Sequence, residues 1–172
     1  MDYKTPPAEA SYYMGHTQSP TGSVREYHPS TTHPFESRQW LIAHNGVINN
    51  WKELAEKYLP THKCAVDTSI IPSLLEMYIA ARHTVEEIDK VVEKVLNMIS
   101  GTYGVFIYNK THDVLYVARC GSTMFYNDKN MAFSSTQTSD LKTLPEHTLY
   151  RVANDKFTKV GDLKNNSSFI IF

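Results

Sequence analysis

The residues of this chain whose types and spacing could do chemistry sit at the ends of short apolar runs. The clearest group is His44-Asn45-Gly46, which follows Trp40-Leu41-Ile42-Ala43. That run is short and continuous, and reads as a buried strand closed by turn residues that lead into a helical pattern. A side-chain amide and backbone N–H groups presented at a strand end, on the rim of a sheet, form a place where an oxyanion can be held. Asn-Gly is also the dipeptide of an ordinary tight turn, and both readings stay open on spacing alone. Asp67, in Val66-Asp67-Thr68, has a similar double reading. At a helix start it caps the first turn and complements the helix dipole. In a pocket, its carboxylate receives the ammonium of a small ligand.

Other reactive residue types give less. His16 and His44 fall in loops after presumed strands, and no HxxxH or HxxE spacing involves them, so hydrogen bonding within the fold is their expected role. His33, before Pro34, reads the same way, and no metal site is expected. Cys64 and Cys120 lie in no nucleophile motif, and Cys120 falls in Arg119-Cys120-Gly121-Ser122, a turn between strands, so both read as reduced structural cysteines rather than nucleophiles. No glycine-rich phosphate loop, nucleophile elbow or basic-aromatic patch is present.

These residues need a scaffold, and 172 residues suffice for one domain with a full core. A formal net charge of −1 offers no field for nucleic acid. No apolar run has the length of a membrane span. Met1 to Ala10 is polar, carries Pro6-Pro7 and is unlike a signal peptide. Two distant cysteines fit a reducing compartment, so a cytoplasmic protein is expected.

Residues 1–11 read as a lead-in and 12–172 as one domain. Tyr12-Tyr13-Met14 reads as a strand end, followed by the Gly15–Ser23 loop. A first helix begins after Asn50, with Trp51, Leu54, Ala55 and Tyr58 on one face. Cys64-Ala65-Val66 reads as a short strand. A second helix starts near Ser69, because Pro72 must lie in its first turn. Thr84-Val85-Glu86-Glu87 is a capping box opening a third helix, which Gly101 stops. Strands follow at 104–108, 114–118, 124–126 and 131–133 as a β-meander, then at 149–152 and 168–172, with one or two helical turns over 139–144. Helices packed on antiparallel strands predict an α+β layered fold.

The ordered pieces resemble the glutaminase domain of class II glutamine amidotransferases, which have the N-terminal-nucleophile (Ntn) hydrolase fold. The pieces are Gly15-His16-Thr17 with Thr21, Thr32-His33-Pro34-Phe35, His44-Asn45-Gly46-Val47-Ile48-Asn49 and Val66-Asp67-Thr68. They continue with Ser100-Gly101-Thr102-Tyr103-Gly104-Val105-Phe106-Ile107, Val117-Ala118-Arg119-Cys120-Gly121-Ser122 and Phe133-Ser134-Ser135. The resemblance implies an αββα layered sandwich, with the opening strands absent or replaced. It implies an oxyanion hole at Asn45 and Gly46, a contact from Asp67 to the α-amino group of glutamine, and Thr21 lining the site.

Two departures stand out. Gln18 occupies the position of the family's carboxylate-binding arginine, with Arg25 and Arg38 as nearby candidates to replace its charge. The nucleophile is a cysteine at the mature N-terminus, carried several tens of residues before the Gly-His-Thr loop. Here 14 residues precede Gly15 and none is cysteine. The expectation is a domain that binds glutamine or a related small molecule, without cofactor and without turnover on its own. The alternatives are a segment of a split or truncated glutaminase that supplies the oxyanion hole and pocket, and a structural or protein-binding pseudoenzyme. A protein partner or self-association covering exposed sheet edges is expected, and no nucleic acid or membrane.

Overall fold

The computed structural model describes residues 11–17, 31–61, 66–79 and 83–166. In chain order the elements begin with β1 (Phe35–Glu36), β2 (Trp40–Ile48) and α1 (Trp51–Tyr58). A 3-10 turn at Asp67–Ser69 runs into α2 (Ile70–Tyr78), and α3 (Val85–Met98) follows. Then come β3 (Gly101–Asn109), β4 (Val114–Cys120), β5 (Phe125–Asn127), β6 (Ala132–Ser134), β7 (Lys142–Thr143), β8 (Thr148–Ala153) and β9 (Lys156–Asp162).

Alternation along the strands sorts side chains to two faces of a six-stranded antiparallel sheet ordered β1-β2-β3-β4-β8-β9. One face carries Trp40, Ile42 and Ile48 from β2, Tyr103, Val105 and Ile107 from β3, and Tyr116 and Ala118 from β4. The apolar stripes of α2 (Ile70, Ile71, Leu74, Leu75) and α3 (Ile88, Val92, Val95, Leu96) pack against them. Each such fully buried side chain contributes about 1.5–3 kcal/mol relative to exposure. The opposite face presents Leu115, Val117 and Val152, covered by Met124, Leu144 and the three-stranded sheet β6-β5-β7, with Tyr12 and Met14 packed alongside.

The fold is therefore α+β and layered, as expected, with helices on one face of the main sheet and a smaller sheet on the other. A second helical layer is not found among the described residues. No helix among them is long and apolar enough to cross a membrane.

Local signals place the helices. Thr84 Oγ1 accepts the Glu87 N–H at 3.3 Å and Glu87 Oε2 accepts the Thr84 N–H at 2.8 Å, which completes the capping box. Pro72 lies in the first turn of α2, behind an N-cap at Ser69.

Several expectations are corrected. Asn45-Gly46 is not a turn after a strand ending at Ala43: β2 continues to Ile48 and pairs with β3 along its whole length. Gly46 is needed for close approach, because at φ 140° its Cβ would lie 2.1 Å from the Thr102 carbonyl oxygen. Gly101 repeats this from the other strand, its Cβ falling 2.1 Å from the Val47 oxygen at φ 136°. It opens β3 rather than stopping α3, which ends at Met98.

Tyr12–Met14 forms no strand; the Tyr12 hydroxyl instead donates to the Val152 carbonyl at 2.9 Å. Residues 139–144 hold the short β7 instead of helical turns, because Lys142 and Thr143 pair with β5. The meander is broken, since β4 pairs with β8 while β5 and β6 belong to the second sheet. The strands read at 64–66 and 168–172, and the lead-in to residue 10, lie outside the described residues or largely so.

Candidate functional site

The distal half of β2 is the structural centre of the site. β1 covers only Leu41 and Ile42, so from Ala43 onward that edge of β2 has no neighbouring strand among the described residues. Asn45, Gly46 and Val47 are exposed there, while His44 and Ile48 on either side are buried.

Asn45 lies opposite Gly104, on the face away from the helices. A Cβ at Gly104 would come within 2.9 Å of the Thr123 carbonyl oxygen and 3.1 Å of the Met124 side chain, so glycine lets the following loop close over this end of the sheet. Asn45 Nδ2 donates to Ser122 Oγ at 3.4 Å. That long bond leaves the second amide hydrogen available to a ligand.

The Ser122 loop is held from beneath by Arg119. Its guanidinium donates to the Ser122 carbonyl at 3.0 Å, to Glu146 Oε1 at 3.1 Å and to the Leu144 carbonyl. Glu146 Oε1 also accepts the Gly121 N–H at 3.1 Å. Two chain segments, at Ser122 and at Leu144 to Glu146, are fixed by one cation whose side chain is 17% exposed.

Asp67 closes the other side. Its Oδ2 accepts the Ile48 N–H at 2.7 Å and its Oδ1 accepts the Thr68 N–H at 2.8 Å. The carboxylate thus ties the end of β2 to the turn that opens α2. Oδ1 also lies 3.4 Å from the Thr68 hydroxyl, while Oδ2 keeps a lone pair for a further donor.

Behind this pair lies a chain of hydrogen bonds. His44 Nε2 is 3.4 Å from the Thr102 carbonyl, which can only accept, so Nε2 carries the proton. His44 Nδ1 then accepts from the Thr68 hydroxyl at 2.9 Å, and Thr68 Oγ1 accepts from His33 Nε2 at 3.1 Å. Burial pushes the His44 imidazole below its ordinary pKa, against the pull of the Asp67 charge. His16, its ring centroid 4.1 Å from that of His33, is lowered by burial too. The three histidines therefore hydrogen-bond or stack, and no group of three or more potential ligands among the described residues could hold a metal.

Asn45, Gly46 and Asp67 are brought to one end of β2. Gln18 and Thr21 lie outside the described residues, as do Arg25 and Cys64. Arg38 is 78% exposed beside Glu76 at the start of β2, about 23 Å along the strand from Asn45, and does not reach the site. Cys120 is fully buried on the helix-facing side, away from Asn45. Sequence reading gave no role to Thr68, Ser122 or Arg119. The contacts that tie them to the site, Thr68 to His44, Arg119 to Glu146 and Ser122 to Asn45, span 24 to 77 residues, which leaves no local signal.

The site thus combines an amide donor, exposed backbone and a carboxylate at one end of a strand, a combination suited to a ligand with a carboxamide and an ammonium group.

The chain matches the family described as glutamine amidotransferase domain over residues 24–144. It is 28% identical over 152 residues to the glutamine--fructose-6-phosphate aminotransferase of Listeria monocytogenes, covering 87% of this chain but only 23% of that protein. It is 30% identical over 100 residues to 7-cyano-7-deazaguanine synthase 2 of Sulfurisphaera tokodaii, covering 58% of this chain and 20% of that one. The chain thus spans about a quarter or less of these curated relatives.

Among solved structures, the fold is similar to the glutamine phosphoribosylpyrophosphate amidotransferase of B. subtilis, with a TM-score of 0.57 and 14% identity over 84% of this chain and 33% of that one. A glutamine aminotransferase class-II domain protein from Silicibacter pomeroyi gives a TM-score of 0.51 and 15% identity over 76% of this chain and 71% of that one. The chain belongs to the glutamine amidotransferase domain family, of class II and the Ntn-hydrolase fold.

Proposed function

We propose that this chain binds glutamine at the exposed end of β2 and does not hydrolyse it unaided. The reading rests on one observation: Asn45 and Gly46 are exposed on the same strand whose Ile48 N–H is held by Asp67 at 2.7 Å. In this reading the Asn45 amide and Gly46 N–H take the side-chain carbonyl of glutamine, and Asp67 takes its α-ammonium. Gln18 and Thr21 complete the proposed contacts, Gln18 giving a neutral hydrogen bond worth about 0.5–1.5 kcal/mol where a charged one gives about 1.5–3. The absence of unaided turnover is supported by the buried, helix-side position of Cys120. A cytoplasmic setting belongs to the same proposal and is supported by the two distant cysteines.

A second reading makes the chain the pocket of an enzyme whose cysteine lies on another segment or another chain. Exposure of Asn45 and Gly46 beside a strand edge with no described neighbour favours it. That edge is also where a partner strand or a second copy would pair.

Both readings are tested by thermal unfolding and ammonia assay of the purified chain. Millimolar glutamine is expected to raise the unfolding temperature without ammonia release, and Asp67→Asn to remove the rise. Ammonia release that Asn45→Ala abolishes would overturn the absence of turnover. No rise at millimolar glutamine would overturn binding.

A further inference from the structure

The sheet face opposite the helices contains a cavity of about 600 Å³ that the glutamine reading does not use. It lies toward the β3–β4 and β8–β9 turns, whereas Asn45 and Gly46 pair with Gly104 and Tyr103 at the other end of β3. Its floor is apolar and aromatic, with Phe106, Leu115 and Val152 from the main sheet. Phe133 from β6 and Tyr12 from the 11–17 segment form its walls.

Its mouth carries the opposite character. Asp113 and Asp155 line it, and no ion pair engages either among the described residues. Among the described residues Asp113 receives two neutral donors, Ser11 Oγ at 2.9 Å and the Tyr108 hydroxyl at 2.8 Å. Burial raises the pKa of the Tyr12 hydroxyl, and the negative charges of Asp113 and Asp155 push it the same way. Asp113, Met131, Asn154 and Asp155 all hold positive φ, between 50° and 55°, in three hairpin turns that meet there.

We propose that this cavity binds a small organic cation, an ammonium group on an aromatic or apolar body. The volume is that of a small-molecule site. An aromatic wall attracts a cation through its quadrupole, and two carboxylates at the rim with no ion pair among the described residues favour one charge sign. A neutral body of the same shape would gain the burial but not the charge contacts, and an anion would meet like charge at the mouth.

Three probes with one indole body separate these terms: tryptamine as the cation, tryptophol as the neutral isostere and indole-3-acetate as the anion. Titration of the purified chain by calorimetry is expected to show tryptamine binding on the order of tenfold more tightly than tryptophol, with indole-3-acetate weaker than both. Asp155→Asn and Asp113→Asn should each shrink the tryptamine preference, and asparagine tolerates the positive φ these turns require, so both variants are expected to fold. Ala132→Trp, which fills the cavity, should abolish binding of tryptamine and tryptophol together. Excess glutamine should not displace tryptamine, so this site and the glutamine reading stand or fall separately. Equal binding of the three probes, no binding at millimolar tryptamine, or tryptamine binding unchanged by Ala132→Trp would each overturn the proposal.

Discussion

The Asp67 carboxylate accepts the backbone N–H of Ile48 at 2.7 Å, joining the end of β2 to the turn that opens α2. The contact gives Asp67 a structural role beside any role toward ligand. Asp67→Asn should therefore destabilise the ligand-free chain by about 1.5–3 kcal/mol, the range for a charge-assisted bond, with Asp67→Ala at the upper end. Urea denaturation without ligand measures this, and a loss below about 0.5 kcal/mol would make the Ile48 contact incidental.

Gly46 and Gly101 meet the opposite strand at the same 2.1 Å Cβ distance, each against a backbone oxygen that cannot rotate away. Gly46→Ala and Gly101→Ala should each cost about 2–4 kcal/mol through positive φ and overlap together. Gly15→Ala, with open space around its Cβ position, should cost far less. Thermal melts of the three variants provide the comparison.

His44 is buried and its pKa lowered, so the folded state holds it neutral while the unfolded chain titrates near 6.5. Below that pH the unfolded state binds the extra proton. Stability is therefore complete above pH 6.5 and falls as pH drops toward the folded pKa, approaching about 1.4 kcal/mol per pH unit for each proton. His16, lowered in the same direction, adds to the slope. Urea midpoints between pH 7.5 and 5 should fall less steeply in His44→Gln than in the parent chain, even if the variant is weaker throughout.

How far the sequence revealed this fold depended on how local each determinant was. The α3 capping box spans four residues and was legible as Thr84 and Glu87. The Asn45-Gly46 dipeptide carried a true local turn signal that long-range pairing with β3 overrode. β7 has only two residues, too few for any periodicity, and exists because Phe125 and Tyr126 pair with it. The His33–Thr68–His44 chain joins positions 35 and 24 residues apart, a closure no spacing rule encodes. The family pattern, read in order across the chain, supplied the family and its fold, which local rules did not.

Arg119 ties the Ser122 loop to the Leu144–Glu146 segment from one guanidinium. Arg119→Lys keeps the charge but cannot reproduce the fork, and should cost about 1–3 kcal/mol. Because Ser122 is the partner of Asn45, the same variant should also weaken glutamine binding, while Lys159→Ala on the exposed β9 edge should not. Paired denaturation and calorimetry separate the two effects.

The central claim is that the distal end of β2 recognises glutamine through its carboxamide and its α-ammonium. Calorimetric titration of the unaltered chain with L-glutamine and with its deaminated analogue glutaramate tests it without disturbing Asp67. The account predicts that glutamine binds at least about tenfold more tightly, the loss expected for one charge-assisted contact. Equal affinity for the two ligands, or no heat from either at millimolar concentration, would contradict it.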